Sequence, residues 1–339
     1  MSSLPFLGNI FLGAFLITWA LRTQAPRLNL LDIPMTRSSH ILPTPRGGGL
    51  SICVLFCFSI THFYLSGFIS QSEFFALLGA QLIAILGFID DLYKLSLQWR
   101  LPVQFLAAIW VVISLEGVAP IDFGFILLSN KLILGAMGVT ALVWVLNLYN
   151  FMDGIDGIAT IELLFVTAML LIFSISTGDQ VIGALSAVLL SAGAGFLFWN
   201  WPPAKIFLGD VGSNFIGFVL GVLALISMQH QSLTVWTWLI LLGVFVVDTT
   251  VTLVVRVSTG HSWYEGHASH AYQNAARFYN SHFKVMIIVL GINFLWLAPI
   301  AWFSVQLPEY GLLFCTIALS PLIFLALRLK AGRFMKPIN

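Results

Sequence analysis

The chain has 339 residues, of which 59% are apolar and only 9% are charged, and its mean hydropathy is +0.97. Soluble domains carry about 25% charged residues, so this composition excludes a water-soluble globule, a disordered chain and a basic nucleic-acid-binding protein. The formal net charge is +1, and the three cysteines lie in apolar runs without CxxC spacing. Neither a disulfide framework nor a cysteine metal site is therefore expected.

About eleven apolar stretches recur along the whole chain, each long enough to cross a ~30 Å hydrocarbon core as a helix. They cover residues 4–21, 48–67, 73–89, 102–118, 131–149, 158–176, 181–199, 211–228, 235–256, 284–304 and 310–328. No second domain, repeat or low-complexity linker interrupts them. The sequence predicts an all-α, polytopic integral membrane helical bundle that forms a single domain over residues 1–339.

Basic residues sort to one side of this bundle. With the amino terminus outside, only Lys131 of the fifteen Lys and Arg residues falls at an outside end. Cytoplasmic loops carry an excess of Lys and Arg, so the pattern predicts an outside amino terminus and a cytoplasmic carboxyl terminus. Because no basic residue precedes the first stretch, we interpret it as an uncleaved span and not as a signal peptide.

Five aspartates are predicted to reach the cytoplasmic ends of three helices. Asp90 and Asp91 end the third stretch, Asp153 and Asp156 follow the fifth, and Asp210 begins the eighth. A carboxylate at that depth is partly desolvated unless it is paired or bound to a cation. Hard oxygen ligands suit Mg²⁺. The competing interpretation is that each acid only caps a helix end.

Basic residues accompany these acids in the inside loops. Lys94 follows the acid pair in DDLYK, Lys205 precedes the eighth stretch in KIFLGD, and Arg46 stands before a glycine run in PTPRGGG. Arg46 and the glycine amides can hold an anion, because Arg offers a bidentate fork to phosphate. The glycine run is not GxGxxG and follows no strand, so no dinucleotide fold is indicated. Alternatively, Arg37 and Arg46 only anchor the topology.

The last large inside loop contains GHASHAYQNAAR. His267 and His270 are three residues apart, and helical spacing can place His270 and Arg277 on one face. HxxH without HExxH is weak evidence for zinc, whereas histidines beside an arginine suit phosphate contacts. The alternative is a solvated amphipathic helix. Three other histidines are interpreted as interfacial or loop residues without a role: His62, His230 and His282.

Acids suited to Mg²⁺, together with Arg, Lys and His on other loops, are the usual equipment for phosphoryl transfer. At the lipid boundary, one substrate is expected to be a lipid phosphate and the other a soluble phosphate ester. A secondary transporter is a second hypothesis, but it predicts acids near mid-membrane and two similar halves. A non-catalytic membrane protein that binds a sugar nucleotide or a lipid is the third.

The motifs GFIDDLYK, NLYNFMDGIDGIA and PAKIFLGDVGS, with the histidine-containing last loop, resemble those of the polyprenyl-phosphate N-acetylhexosamine-1-phosphate transferases, glycosyltransferase family 4. They occur in family order over essentially the whole chain. The resemblance implies transfer of a sugar 1-phosphate from a UDP-N-acetylhexosamine to undecaprenyl phosphate, with release of UMP and with Mg²⁺ or Mn²⁺ as cofactor. It also implies a location in the bacterial inner membrane, an active site on the cytoplasmic face, and a homodimer as a possible partner state.

By motif position, the resemblance implies a metal ligand at Asp210 and acids near the lipid phosphate at Asp90 and Asp91. Asp153 and Asp156 complete the expected catalytic set, in the nucleotide and metal region. The expected substrate-binding residues are Arg46, Lys94, Asn150, Lys205, His267, His270 and Arg277.

The last loop, together with RSSHILPTPRGGG, resembles the branch that initiates bacterial O-antigen and related surface polysaccharides. The muramoyl-pentapeptide branch instead has adjacent histidines. Donors in the O-antigen branch are UDP-N-acetylglucosamine or a 6-deoxy sugar such as N-acetylfucosamine or N-acetylquinovosamine, and the deoxy sugars are favoured. UDP-N-acetylglucosamine for other cell-wall glycans stays open. So does the choice between direct attack, with Asp90 or Asp91 taking the lipid phosphate's proton, and a covalent aspartyl-phosphate route.

Overall fold

A computed structural model describes residues 3–28, 30–34, 42–261 and 267–334. Its long helices are α1 Ser3–Gln24, α2 Leu50–Leu65, α3 Gln71–Tyr93, α4 Leu97–Ser114, α5 Lys131–Met152, α6 Ile158–Thr177, α7 Gln180–Asn200 and α8 Gly209–Gln229. The rest are α9 Val235–Leu241, α10 Gly243–Ser258, α11 Ala271–Tyr279, α12 His282–Ile292, α13 Ala298–Gln306 and α14 Gly311–Arg328, with a π turn at Asn293–Leu297 and a 3₁₀ turn at Pro308–Tyr310. Two antiparallel hairpins pair β1 Leu31–Asp32 with β2 Thr44–Pro45 and β3 Ile121–Asp122 with β4 Leu127–Leu128.

Every predicted apolar stretch is helical, which confirms the all-α membrane bundle. Nine helices in the described ranges are long and apolar enough to cross a membrane, counting α12 to α13 as one. The bent pair of α9 and α10 makes a tenth. The remaining stretch is α2, whose 16 residues are short for a ~30 Å core. The orientation of the two termini stays a prediction.

One predicted span is not a straight helix. The stretch 235–256 breaks at Leu242, and the axes of α9 and α10 differ by 82°. The apolar pattern runs unbroken through this point, so hydropathy alone could not locate the bend. Beyond the bend, α10 packs on α14 and α5.

Helix α8 is the central element of the bundle. Its apolar window is 94% buried, and it packs against α3 and α5. Gly87 on α3 allows the closest approach, because a Cβ atom there would lie 2.4 Å from the Asp210 carbonyl oxygen and 2.7 Å from the Val211 Cα. The acid-bearing end of α3 therefore lies directly beside the first turn of α8.

At the opposite end of the bundle, α3, α7 and α8 are joined by four polar side chains, which we call the outer cluster. His230, just beyond α8, places Nε2 2.9 Å from Glu73 Oε1 and Nδ1 3.0 Å from Asp179 Oδ2. The Ser232 hydroxyl donates to the same Asp179 oxygen at 2.6 Å. The interpretation of His230 as a residue without a role is therefore wrong, since it links the ends of three helices.

Candidate functional site

A cavity of about 500 Å³ lies where α3 and α5 end and α8 begins. Nine of the twelve predicted site residues line it: Arg46, Asp90, Asp91, Lys94, Asn150, Asp153, Asp156, Asp210 and His267. Most of them lie at the ends of α3 and α5, in the connection that follows α5, and in the first turn of α8. These nine residues, separated by up to 221 positions in the chain, thus converge on one site.

Asp91 holds the first turn of α8. Its two carboxylate oxygens accept hydrogen bonds from the backbone N–H groups of Asp210, at 3.1 Å, and Val211, at 3.0 Å. A carboxylate at a helix N-terminus satisfies N–H groups that have no partner within the helix, and it is favoured by the helix dipole. The Arg46 guanidinium donates to the Asp91 carbonyl and places Nε 3.7 Å from Oδ1. Asp91 therefore positions Asp210 and Arg46.

Asp90 is paired with a residue that the sequence analysis did not select. Its Oδ2 accepts from Arg100 Nη1 at 2.7 Å, and its Oδ1 accepts from the backbone N–H of Leu95 at 2.6 Å. Lys94 ends α3 in the left-handed conformation and lines the cavity beside Arg100. The Asp90 carboxylate is buried, and its pair with Arg100 joins the end of α3 to α4 at the edge of the cavity.

Asp156 is held by the neighbouring loop and by α12. Its Oδ2 accepts from the Ala204 N–H at 3.2 Å and lies 3.3 Å from Nδ1 of His282. His282 also lines the cavity, and the sequence analysis did not predict its contact with Asp156. Its position in the sequence, at the start of the tenth apolar stretch, gave no sign that it meets the DGIDG motif.

Among the lining aspartates, Asp153 and Asp210 form no ion pair with a described residue. Asp210 Oδ1 accepts from Asn150 Nδ2 at 2.6 Å, and the same amide contacts Ser213 at 2.9 Å. Burial, and then the carboxylates of Asp210, Asp91 and Asp156, raise the pKa of Asp153 well above its ordinary value. A cation beside the Asp153 carboxylate would relieve this repulsion.

These two acids fit Mg²⁺. No three Asp, Glu, His or Cys side chains in the described ranges converge closely enough to hold a metal by themselves. Mg²⁺ commonly takes only one or two protein carboxylates and completes its shell with water and substrate phosphates. Asp153 and Asp210 supply that number of hard oxygen ligands, whereas the acids at positions 90, 91 and 156 are engaged elsewhere.

The last loop is anchored by Asp248 of α10. The Asp248 carboxylate accepts from the N–H groups of Ala271, at 2.9 Å, and Tyr272, at 2.8 Å, and its Oδ1 lies 3.2 Å from His270 Nδ1. The sequence analysis gave Asp248 no function, because an acid within an apolar stretch has no identifiable partner in the sequence. In the structure it caps α11 and fixes the residues before it.

His267 lines the cavity, whereas His270 lies behind it. The two imidazole rings stack with centroids 4.9 Å apart. Burial, and then the neighbouring His270 and Arg256, lower the pKa of His267 to about 3. His267 is therefore a neutral hydrogen-bonding group at physiological pH. His270 is the N-cap of α11, the helix that carries Arg277 in its last turn.

Lys205, His270 and Arg277 are not among the lining residues, unlike the other predicted site residues. The Lys205 ammonium lies over the rings of Phe198 and Trp199, at 5.5 and 5.4 Å, because the 201–204 turn directs it away from α8. Arg277 bonds within the last loop, to the Ala268 carbonyl and to Asn274. The cavity instead contains five further polar residues that the sequence analysis did not select: Asp32, Arg100, Asn200, Gln273 and His282.

Residues 74–228 match the family model described as "Glycosyl transferase family 4". A probable undecaprenyl-phosphate N-acetylglucosaminyl 1-phosphate transferase of Bacillus subtilis (strain 168) is 30% identical over 84% of this chain and 80% of that protein. The chain belongs to glycosyl transferase family 4. The family predicted from the motifs is thereby confirmed, and with it a multi-pass membrane protein.

Other members of the family are similar over comparable lengths. A decaprenyl-phosphate N-acetylglucosaminephosphotransferase of Mycobacterium leprae (strain TN) is 29% identical over 82% of this chain and 77% of that protein. A phospho-N-acetylmuramoyl-pentapeptide-transferase of Borrelia turicatae (strain 91E135) is 31% identical over 76% of this chain and 80% of that protein. The similarity to each of these relatives is longer than the matched family segment.

Proposed function

We propose that this family 4 protein transfers an N-acetylhexosamine 1-phosphate from a UDP-sugar to undecaprenyl phosphate, with release of UMP. The observation that carries the proposal is one cavity, at the ends of membrane helices, that combines unpaired carboxylates with basic groups. Asp153 and Asp210 supply the carboxylates, and Arg46, Lys94 and His267 supply phosphate-binding groups. The names of the relatives support this reaction, since each combines a polyprenyl acceptor or a phospho-sugar group with transferase activity.

In this proposal Asp210 and Asp153 hold Mg²⁺, for which Mn²⁺ can substitute. The ion, when bound, neutralises charge on the donor pyrophosphate and lowers the barrier to displacement. The chain leaves these two carboxylates without an ion pair to a described residue, and it orients Asp210. Asn150 holds Asp210 through Oδ1, and Asp91 holds the backbone on which Asp210 stands.

The transfer is a displacement at phosphorus. An oxygen of the lipid phosphate forms a bond to the phosphorus that carries the sugar, and the bond from that phosphorus to the bridging oxygen breaks. The electron pair leaves with UMP, and the product is a polyprenyl diphosphate sugar. Arg46 and Lys94 neutralise phosphate charge, and neutral His267 donates or accepts a hydrogen bond at a phosphate oxygen.

The proton of the lipid phosphate, when present, requires an acceptor. Its second pKa is near ~6, so the phosphate is often already ionised at neutral pH. Asp90 and Asp91 are the acids proposed to receive the remaining protons. A covalent route would place the phospho-sugar on an aspartate first. Incubation of enzyme and donor without lipid acceptor distinguishes the two routes, because stoichiometric UMP appears only in the covalent one.

The O-antigen role and a 6-deoxy-N-acetylhexosamine donor complete the proposal, and they rest on the last-loop sequence GHASHAYQNAA. UDP-N-acetylglucosamine is the second candidate donor, and it is favoured by the names of the Bacillus and Mycobacterium relatives. We place the cavity on the cytoplasmic face of the bacterial inner membrane, because the inside loops predicted from basic residues are the loops that line it. UDP-sugars are then available to it from the same side.

Purified protein in detergent, incubated with undecaprenyl phosphate, Mg²⁺ and a panel of UDP-N-acetylhexosamines, tests the proposal through UMP release. We expect release with one sugar, its loss with EDTA, and loss of turnover in Asp210→Asn at any Mg²⁺ concentration. Asp122→Asn is the matched control, because Asp122 lies on the hairpin at the other end of the bundle and an asparagine can keep its turn hydrogen bond to Gly124. Near-normal activity of Asp210→Asn would overturn the metal assignment. No release with any donor would favour the binding or transport hypotheses.

A further inference from the structure

The segment that follows α14, residues 329–334, packs against the last loop, and we call it the strap. Asn274 of α11 joins the two. Its side chain is fully buried, and Nδ2 donates to the carbonyl oxygens of Leu329 at 2.8 Å, Lys330 at 3.0 Å and Arg333 at 2.9 Å. One amide group thus bonds to carbonyls at the start of the strap and near its end.

A second connection leads from the strap to His267. The Gly332 N–H donates to the Ser269 carbonyl at 2.8 Å, and the Ser269 hydroxyl lies 3.2 Å from His267 Nδ1. Gly332 has φ of +81°, and a Cβ atom there would lie 2.8 Å from Val255. Only glycine therefore fits this turn without moving the strap away from Ser269.

Arg277 closes the arrangement. Its Nη2 donates to the Ala268 carbonyl at 2.5 Å and to Asn274 Oδ1 at 2.6 Å, while its guanidinium lies 4.4 Å from the ring centre of Phe334. The residues immediately after His267 are thereby tied to α11 and to the strap at once. A contact between Arg277 and a substrate is not needed to explain its position.

The strap also forms one wall of a second cavity, of about 420 Å³, that shares His267 with the main cavity. With Nδ1 of His267 engaged by Ser269, Nε2 is the ring nitrogen left for a ligand. A displaced strap would release Ser269 and allow the ring to turn toward this second cavity. The position of the imidazole thus depends on contacts made more than 60 residues later in the chain.

We propose that the strap positions His267 for the donor phosphates, with Asn274 and Gly332 acting through Ser269 as positioning residues of the transferase site. The inference rests on the proposed function. A merely structural role would affect both substrates. The proposal instead predicts that donor binding and the titration of His267 change while acceptor binding does not.

Asn274→Asp and Ser269→Ala test the proposal, the second being the milder change because it removes one hydroxyl. We expect the KM for the UDP-sugar to rise about ten-fold in each, with the KM for undecaprenyl phosphate unchanged. Asn130→Asp is the matched control, since either side chain can accept the N–H bonds that cap α5. Equal effects on both substrates, or none in either variant, would overturn the proposal.

A titration of ¹⁵N-histidine-labelled protein by NMR gives a readout that does not require activity. Burial and neighbouring positive groups keep the pKa of His267 at about 3, so its ring should stay neutral down to mildly acid pH in the wild type. Burial is the largest cause of this low pKa. A ring released from Ser269 in Asn274→Asp or Ser269→Ala should therefore have a pKa closer to 6.5. An unchanged His267 titration in both variants would refute the strap's role. Absence of UMP release by the wild type would instead refute the proposed function and leave this titration as an independent test.

Discussion

Replacement of His230 by glutamine should remove stability that depends on pH. The ring of His230 contacts Glu73 at 2.9 Å and Asp179 at 3.0 Å, one through each nitrogen. Both ring nitrogens donate only in the imidazolium form. Hydrogen bonds to Asp179 and then Glu73 raise the pKa of His230 from 6.5 to about 10. The outer cluster is therefore held by a charged histidine at neutral pH.

The size of the effect follows from this pKa. At 1.36 kcal/mol per unit, the full shift would correspond to ~5 kcal/mol of stability. The His230 side chain is 32% exposed, so solvent screening reduces this, and we expect about 2 kcal/mol, close to one charged hydrogen bond. Because the pKa of His230 is higher in the folded state, its stabilising contribution is fully present at pH values below the unfolded pKa of 6.5. The contribution declines as pH rises and is lost above about 10.

Thermal unfolding of detergent-solubilised protein between pH 6 and 10.5 measures this contribution. The wild type should exceed His230→Gln by a few degrees at pH 6, and the gap should close steadily toward pH 10.5. The range does not extend to acid pH. Burial raises the pKa of Asp179, but its hydrogen bonds outweigh burial and keep that pKa below its ordinary value, so the stability that Asp179 contributes is lost in acid. His62→Gln, whose ring contacts Phe6 and Phe63, is the matched control. A gap that is constant or grows with pH would refute the reasoning.

Two further substitutions test the packing and the cap that position the site. Gly87→Ala places a Cβ atom against the Asp210 backbone, which cannot yield, so we expect a cost of about 1–3 kcal/mol and a large loss of UMP release. Gly135→Ala is its control, because the nearest atom there is 3.9 Å away, and equal thermal stability of the two variants would contradict the packing argument. Asp248→Asn sets an amide donor against the N–H groups of α11, and the lost hydrogen bond should cost about 1–3 kcal/mol and raise the KM for the UDP-sugar. A donor KM equal to that of the wild type would show that the cap does not control the loop.

The sequence analysis predicted the helices well because the thickness of a bilayer imposes their length. It missed the bend at Leu242 because backbone direction there is set by packing against α14, while the side chains on both sides are equally apolar. Nor did it predict where α11 begins. A buried acid, Asp248, decides where that helix begins, and its contact with Ala271 joins residues 23 positions apart.

The acids of the site were predicted because they lie in compact motifs, but their partners were not. Asp90 pairs with Arg100 and Asp156 with His282, and the second pair is separated by 126 positions. Such pairs depend on which loops face each other, and one sequence does not contain that information. Lys205 shows the reverse error, since its proximity to Asp210 in the chain does not carry its ammonium into the cavity.

The outer cluster has a mechanical consequence for the opposite end of the molecule. Helices α3 and α8 have 23 and 21 residues, so each is a rod of roughly 30 Å. His230, just beyond α8, contacts Glu73 of α3 at one end of the pair, and Asp91 of α3 accepts from the first turn of α8 at the other end. Rods fastened at both ends do not slide past each other, so the spacing of the acids on α3 and α8 is set before any ligand arrives. Residues 267–270 belong to neither rod, so a movement of the last loop would change the position of His267 and leave the spacing of these acids as it is.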